Sequence, residues 1–282
     1  MAGPRSIVWL ASYPKSGNTW LRAVLTGLTS PPGTPLALDR LIGGSWTTMR
    51  GQFDEIVGLA SSDMTEAEID LHRPAFHRML AADTPSPLFV KVHDAYRRNR
   101  RGEPLFPADA TACAVYVVRN PLDVAVSFAH HNAMALDEIV ARMNDDAYAL
   151  GAQDGSLHGA LPQRLGSWSG HVASWLDQTA LDTLVLRYED MLARPSEVFM
   201  RVACRVGLHV DAANLVSAIQ AADFHRLQAS EQANGFAERQ PTAASFFRAG
   251  RAGDGKRHLS AAQVRSIVSV HGDVMRRLGY SD

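Results

Sequence analysis

A loop rich in small and cationic residues, SYPKSGNTW, stands between an apolar run and an amphipathic stretch near the start of the chain. Backbone amides at a helix N-terminus converge on an anion and carry the positive end of the helix dipole. Gly17 allows close approach of that backbone, and Lys15 adds a full positive charge. Ser16 and Thr19 offer hydroxyl donors, and Trp20 offers a face on which a base can stack. The loop is therefore predicted to bind a phosphate group.

The same loop does not follow the nucleoside triphosphate P-loop pattern, G-x-x-x-x-G-K-[ST]. Its lysine precedes the glycine instead of following it, and it contains a single glycine. An ordinary capped turn with a solvated lysine is the structural alternative to phosphate binding. The loop alone leaves both interpretations open.

A second cationic segment, VYVVRNPLDVAVS, places an arginine at the end of another apolar run. Arg119 can hold a phosphate bidentately, and Ser127 follows it about two turns into the next predicted helix. The alternative is a structural arginine that caps carbonyl groups or pairs with Asp123. The segment is a candidate for a second phosphate site.

The segment FVKVHDAY carries the candidate for acid–base chemistry. His93 stands at the end of a predicted strand, and Lys91 points to the same face because side chains alternate along a strand. The pKa of an imidazole is close to neutrality, so His93 is a candidate general base. A histidine with a purely structural role is the alternative.

The elements that must position these residues follow from the hydrophobic pattern. Short apolar runs indicate buried parallel strands, and amphipathic stretches between them indicate helices. Strands are predicted at Ile7–Tyr13, Pro87–Asp94, Ala112–Arg119 and Asp182–Asp190. Helices are predicted from Thr19, from Pro121 and over 171–181, 195–207, 211–221 and 260–278, with Pro74 interrupting or restarting an earlier helix. This alternation predicts a single α/β domain over residues 1–282, a three-layer sandwich whose central, mainly parallel sheet binds ligands beyond its carboxyl edge.

Four motifs in this order, SYPKSGNTW, YVVRNPLDVAVS, RYEDM and FFRAGRAGDGK, resemble those of the soluble, cytosolic-type sulfotransferases that use 3′-phosphoadenosine 5′-phosphosulfate (PAPS). The resemblance covers most of the chain, from about residue 7 to residue 258. It implies the P-loop NTPase-like sulfotransferase fold, PAPS as co-substrate and no metal. It also implies in-line transfer of a sulfuryl group to a hydroxyl, or less favourably an amine, of a small-molecule acceptor.

The resemblance implies roles for individual residues. His93 matches the general base of the family, Lys15 the lysine that stabilises the departing phosphate, and Lys91 the lysine beside that base. The positions that match donor-binding residues are Lys15, Ser16, Gly17, Asn18, Thr19, Trp20, Arg119, Ser127, Tyr188, Phe224, Arg248, Ala249 and Gly250. The family usually has lysine where this chain has Ala249 and tryptophan where it has Gly255, which leaves the strength of donor binding open.

Composition bears on partners and location. The net charge of −1 gives no reason to expect nucleic acid as a partner. No apolar run approaches the roughly 20 residues of a membrane helix, and the N-terminal run is too short for a secretion signal. A cytoplasmic protein without membrane insertion is expected. Cys113 and Cys204 are predicted to be buried, reduced thiols, and the oligomeric state stays open.

Other functions and the acceptor remain to be distinguished. A nucleotide-dependent phosphotransferase or NTPase of related fold is disfavoured by the missing G-K-[ST]. A non-catalytic nucleotide-binding protein is disfavoured by the presence of both Lys15 and His93. An acceptor pocket is expected from segments within 36–85, 95–110 and 130–170, with His131 as a lining candidate. The arginine run at 97–101 is predicted to be a solvated loop, with an anionic acceptor or a lid as alternative.

Overall fold

The computed structural model describes residues 6–31, 33–44, 48–83, 87–151 and 159–280. At its centre lies a parallel sheet of β1 (Ile7–Ser12), β2 (Leu88–Val92), β3 (Thr111–Val118) and β4 (Thr183–Arg187), in the order β2-β1-β3-β4. β1 is buried along its whole length, as expected for an apolar strand covered on both faces. The predicted α/β fold with a parallel sheet is confirmed.

Helices cover both faces of this sheet. They are α1 (Asn18–Thr29), α2 (Arg50–Val57), α3 (Glu66–Asp83), α4 (Pro121–Asn132), α5 (Leu136–Met143), α6 (Trp168–Asp177), α7 (Tyr188–Ala193), α8 (Pro195–Arg205), α9 (Ala212–Ala221), α10 (Phe224–Asn234), α11 (Gly255–His258) and α12 (Ala261–Arg277). Short 3₁₀ helices lie at Leu38–Arg40 and Ser61–Asp63, and a two-residue antiparallel pairing joins Ala149–Leu150 to Gln163–Arg164.

Alternating strand residues pack into two separate hydrophobic layers. Trp9 and Tyr116 belong to the layer that includes buried residues of α3, α4, α6 and α12. Leu10 and Val115 belong to the opposite layer, which includes buried residues of α1, α8 and α9. This arrangement is the predicted three-layer sandwich.

The four strands end at one edge of the sheet because all of them run parallel. Lys15 lies in the loop after β1, and His93 and Arg119 directly follow β2 and β3. Tyr188 directly follows β4. The fold therefore gathers the segments singled out in the sequence at the edge where ligands of α/β proteins bind.

The predicted interruption at Pro74 is wrong, because α3 continues through this residue. Proline has no backbone N–H, so the carbonyl of Asp70, one turn earlier, loses its helical partner. Nδ2 of Asn99 donates to that carbonyl at 3.3 Å. A side chain from the loop after β2 thus replaces the hydrogen bond that the helix loses at its proline.

The fourth strand ends earlier than predicted. β4 stops at Arg187, and Tyr188 begins α7, whose Met191 is fully buried one turn later. The helices α2, α5 and α10 and the four-residue α11 have no counterpart among the predicted helices. α10 buries only Leu227 and Glu231, so it lacks the apolar periodicity on which the prediction depends.

The two cysteines are both free thiols, but only Cys113 is buried. Cys204 is exposed because it lies off the buried face of α8, which consists of Val198, Phe199, Val202 and Ala203. The prediction of buried thiols is therefore wrong for Cys204. Among the described residues, none of the helices combines the length and the hydropathy needed to cross a bilayer.

Candidate active site

A cavity of about 730 Å³ opens at the carboxyl edge of the sheet. Its lining includes Lys15, Gly17, Asn18, Thr19, Trp20, Lys91, His93, Arg119, Ser127, Tyr188, Phe224, Arg248, Ala249 and Gly250. Of the residues predicted for the site, only Ser16 does not line it; this residue is buried within the loop after β1. The structure thus brings together side chains from across the chain.

The loop after β1 has an unusual backbone. Lys15 and Gly17 adopt positive φ angles of 66° and 108°. A Cβ atom at Gly17 would lie 2.6 Å from Cδ2 of Tyr188, so only glycine permits this contact with α7. Nδ2 of Asn18 donates to the carbonyl of Leu10 at 2.8 Å and ties the start of α1 to β1. No described side chain caps this helix, which leaves its first amides available to an anion.

The Lys15 ammonium lies over the ring of Phe246, 3.7 Å from its centroid. Loss of hydration and the nearby charge of Lys91 lower the pKa of Lys15 to about 7. An anion in the cavity would favour the charged form and raise this pKa. Lys15 is therefore a cation whose protonation responds to ligand binding near neutral pH.

Lys91 is held by a carboxylate that lies outside the four sequence motifs. Nζ of Lys91 donates to Oε2 of Glu238 at 2.9 Å, and the guanidinium of Arg22 donates to Oε1 of the same carboxylate at 2.5 Å. Burial lowers the pKa of Lys91, while Glu238 acts in the opposite direction. The cavity thus contains a carboxylate bridge between two cations.

The hydrogen bonds of His93 define its tautomer. Nδ1 lies 2.7 Å from the carbonyl oxygen of Ser12, which can only accept, so Nδ1 carries the proton. In this tautomer Nε2 carries a lone pair, and no described residue donates to it. Loss of hydration and the charge of Lys91 lower the pKa of His93 to about 3, so the ring is neutral at physiological pH. His93 has the protonation state that a general base requires.

The backbone of His93 is held from two sides. Its N–H donates to Oε1 of Gln163 at 3.0 Å, and its carbonyl accepts from Nε2 of His171 at 3.0 Å. The other ring nitrogen of His171 accepts from the hydroxyl of Tyr116 at 2.8 Å. Burial lowers the pKa of His171 to about 4, consistent with this neutral tautomer. These contacts fix the position from which the His93 ring extends.

Arg119 connects two loops of the cavity. Its guanidinium donates to the carbonyls of Lys15 at 3.2 Å and Arg251 at 2.9 Å, and it lies 4.4 Å from the centroid of the Tyr188 ring. Its distance to Asp123 is 3.9 Å. Arg119 therefore caps carbonyl groups, as the structural alternative predicted, while it also lines the cavity beside Ser127.

The segment 235–254, between α10 and α11, closes one side of the cavity. Asp123 anchors its end by accepting from the amides of Gly253 at 2.8 Å and Gly255 at 2.7 Å. A Cβ atom at Gly255 would lie 2.5 Å from Cβ of Leu122, so the structure has no room for a larger side chain there. The altered motif is thus compatible with a loop that is tied to α4.

A family model describes almost the whole chain. The model of the sulfotransferase domain matches residues 5–279. The chain belongs to the sulfotransferase family. The amine sulfotransferase of Oryctolagus cuniculus is 22% identical to this sulfotransferase over 276 residues, which are 95% of this chain and 80% of that protein. Sulfotransferase 1A1 of Canis lupus familiaris is 27% identical over 283 residues, with coverages of 96% and 84%. The prediction of an enzyme from the PAPS-dependent sulfotransferases is confirmed at the level of the family.

The fold of this sulfotransferase is also found in a solved relative. The crystal structure of mouse sulfotransferase SULT7A1 complexed with PAP superposes with a TM-score of 0.62 at 18% identity. The match covers 98% of this chain and 86% of that one. The likeness confirms the predicted sulfotransferase fold.

The acceptor region of the sulfotransferase is only partly described. Residues 45–47, 84–86 and 152–158 lie outside the described residues. Of the predicted acceptor segments, the described part of 130–170 lines the cavity through His131, Asn132 and Leu150, whereas the described parts of 36–85 and 95–110 do not. Burial and the charge of Lys15 lower the pKa of His131 to about 3, so this lining histidine is neutral.

The arginine run divides into two kinds of residue. Arg98, Arg100 and Arg101 are exposed, in agreement with a solvated loop. Arg97 instead forms ion pairs with Asp70 and Asp94, so the prediction of a solvated residue is wrong there. Within the described ranges, no cluster of three or more His, Cys, Asp or Glu side chains is arranged to hold a metal ion.

Proposed function

We propose that this sulfotransferase transfers a sulfuryl group from PAPS to the hydroxyl of a small-molecule acceptor. In this proposal His93 is the general base and Lys15 stabilises the leaving phosphate. The observation that carries it is the shared cavity, in which a neutral His93 with a free Nε2 lies with the cationic loop before α1. Fold similarity alone would not identify these roles.

Several buried atoms fit a doubly phosphorylated nucleotide. Oγ of Ser16 and Nε of Arg119 and of Arg248 are buried without a hydrogen-bond partner among the described residues. Each of these atoms can donate a hydrogen bond to a phosphate oxygen. PAPS carries phosphate at two ends of its ribose and therefore needs two anion sites. The loop before α1 and the region of Arg119 supply them, and Trp20 and Phe224 offer aromatic faces for adenine.

The proposed reaction has one proton transfer and one displacement. Nε2 of His93 accepts the proton of the acceptor hydroxyl as its oxygen bonds to sulfur. The bond between sulfur and the bridging phosphate oxygen breaks, and negative charge develops on the leaving bisphosphate. Lys15 meets that charge, and Lys91 lies in the same cavity as a second cation. Catalysis then rests mainly on positioning and charge stabilisation, as in phosphoryl transfer.

The charges of the cavity support a hydroxyl acceptor. Its lining includes the cations Lys15, Lys91, Arg119 and Arg248 and the carboxylates Asp223 and Glu238. An excess of cations disfavours a protonated amine, which must also lose a proton before it can attack. The rabbit relative is named for amine substrates. Parallel assays with a neutral phenol and an alkylamine would distinguish the two acceptor classes.

Calorimetric titration tests the donor assignment. Adenosine 3′,5′-bisphosphate is expected to bind more tightly than ADP, ATP or AMP, with or without magnesium. Arg119→Ala is expected to weaken its binding by about 10- to 100-fold, because a charge-assisted hydrogen bond contributes about 1.5–3 kcal/mol. The matched control is Arg201→Ala, an exposed residue of α8 outside the cavity lining. A preference for ATP with magnesium would point to phosphoryl transfer instead, and no binding of any nucleotide would contradict the proposal.

Gly250 and Gly253 form a matched pair for the adenine site. Both have positive φ, 60° and 84°, but a Cβ atom at Gly250 would lie 2.3 Å from the Phe224 ring, whereas one at Gly253 would have nothing within 4 Å. Gly250→Ala is therefore expected to displace Phe224 and weaken bisphosphate binding about tenfold. Gly253→Ala carries similar backbone strain without the clash. Equal dissociation constants for the two variants would remove Phe224 from the proposed nucleotide contacts.

A further inference from the structure

We propose that Glu238 is a positioning residue of this active site, which bridges Lys91 to the buried Arg22 and thereby fixes the Lys91 ammonium in the cavity. The inference rests on the proposed function for the role of Lys91. It goes beyond that function by assigning Glu238 and Arg22, neither of which belongs to a motif of the sequence.

Arg22 is the fixed end of this bridge. Its side chain is only 3% exposed, and its Nε and Nη2 donate to the carbonyls of Ile42 at 2.7 Å and Leu41 at 3.4 Å. The remaining nitrogen donates to Oε1 of Glu238 at 2.5 Å. A guanidinium whose other two nitrogens are held by backbone carbonyls cannot follow a moving carboxylate. Arg22 therefore sets where Glu238 lies.

Glu238 in turn fixes the position of the Lys91 ammonium. With Oε1 on Arg22, its second oxygen accepts from Nζ of Lys91 at 2.9 Å. An ammonium has three N–H donors, so two remain for an anionic group in the cavity. A free lysine side chain samples many rotamers, and the bridge removes that freedom before substrate binds.

The bridge also balances charge. Lys91 and Arg22 lower the pKa of Glu238 to about 2 against the effect of burial, so the carboxylate is ionised. Glu238 in turn opposes the burial that lowers the pKa of Lys15 and of Lys91. Without this carboxylate, three cations would face one another with less hydration, and Lys15 would lose its proton at lower pH.

The bridge is separate from the contacts by which α10 holds segment 235–254. Glu231 of α10 accepts from the amides of Phe246 at 2.6 Å and Phe247 at 3.0 Å, and Gln228 donates to the carbonyl of Phe247 at 2.9 Å. These contacts hold the part of segment 235–254 that covers Lys15. Loss of the Glu238 carboxylate should therefore leave the covering aromatics in place.

Glu238→Gln tests the proposal, because it keeps the size of the side chain and removes its charge. With 4-nitrophenol and simple alcohols as acceptor probes, kcat is expected to fall about 10- to 100-fold. The rate constant of a single turnover should fall by the same factor if the chemical step is affected. The dissociation constant for adenosine 3′,5′-bisphosphate at pH 6 should stay within about threefold of wild type. The ratio of this constant at pH 8 to that at pH 6 should rise about fivefold, as Lys15 loses its proton earlier.

Four further variants make the result decisive. Glu55→Gln, an exposed residue of α2, should behave as wild type. Glu231→Gln loosens segment 235–254 without touching Lys91, and it removes a carboxylate that raises the pKa of Lys15 less than Glu238 does. It should therefore raise the dissociation constant with a smaller change in pH ratio. Arg22→Gln combined with Glu238→Gln leaves no unpaired guanidinium beside the lost carboxylate, and it should reproduce the loss of kcat even if the single variant folds poorly. Glu238→Asp keeps the charge but is too short for both partners, so it should restore the pH ratio more than kcat.

Two outcomes would overturn the assignment of Glu238. One is an unchanged kcat and pH ratio in the Glu238→Gln variant of an enzyme whose wild type transfers sulfuryl groups. The other is an identical set of changes in Glu231→Gln, which would mean that Glu238 only holds the segment. A wild type that prefers ATP with magnesium would instead contradict the proposed function itself.

Discussion

Replacement of His93 by alanine is expected to lower kcat for sulfuryl transfer by about 10²–10⁴-fold, because general base catalysis contributes about that much. The affinity for adenosine 3′,5′-bisphosphate should change little, since the free Nε2 is assigned to the acceptor and not to the donor. Single-turnover rates, with the acceptor probe that wild type uses fastest, measure the loss. Titration with the bisphosphate measures binding.

The matched control for this variant is His209→Ala, which replaces an exposed histidine.

The pH dependence gives a second check. The pKa of His93 is about 3 in the free enzyme, so protonation of its ring should not reduce kcat/KM for the donor until the pH falls towards that value. Bound donor brings negative charge and raises this pKa, so the acid limb of kcat should lie at higher pH than that of kcat/KM. A His93→Ala enzyme with more than about a tenth of the wild-type kcat would exclude His93 as the base.

Lys15→Ala should lower kcat by about 10²–10³-fold, the usual effect of removing one preorganised group that stabilises developing charge. The protonated lysine is the active form, and its pKa in the free enzyme is about 7. The value of kcat/KM for the donor should therefore be constant below about pH 7 and fall about tenfold per unit above it. Initial rates at low donor concentration between pH 5.5 and about 9 measure this limb.

Lys15→Arg is the conservative comparison. Arginine stays charged over this range, so the alkaline limb should disappear even if the longer side chain lowers the absolute rate. An alkaline limb that persists in Lys15→Arg would assign the titration to another group. Full activity of Lys15→Ala would remove Lys15 from the chemistry.

Much of the fold could be predicted because local pattern and tertiary structure agree. Each of the four apolar runs is long enough for one strand and too short for a helix, and parallel strands buried on both faces have that signature. For the first three runs, the pattern therefore predicts Lys15, His93 and Arg119 at one edge of the sheet, whereas Tyr188 lies inside the fourth predicted strand. The structure places Lys15, His93, Arg119 and Tyr188 there. Their assigned roles came from the family resemblance and remain proposals.

What could not be predicted depends on contacts between distant parts of the chain. Glu238 meets Arg22 across 216 residues of sequence, and no local pattern marks either residue. Pro74 remains helical because Asn99, 25 residues later, donates to the carbonyl of Asp70 that the proline leaves without a partner. Cys204 is exposed although its neighbours are apolar, because only one face of α8 packs on the core.

The left-handed backbone conformation of Lys15 lowers the free energy of unfolding at a position proposed to act in catalysis. A residue with a Cβ atom in this conformation costs about 1–2 kcal/mol relative to the right-handed one, and glycine avoids that cost. Selection for stability alone would therefore favour glycine at position 15, whereas the catalytic role proposed for Lys15 requires lysine there. A lineage that no longer needed sulfuryl transfer would gain folding free energy by losing this side chain.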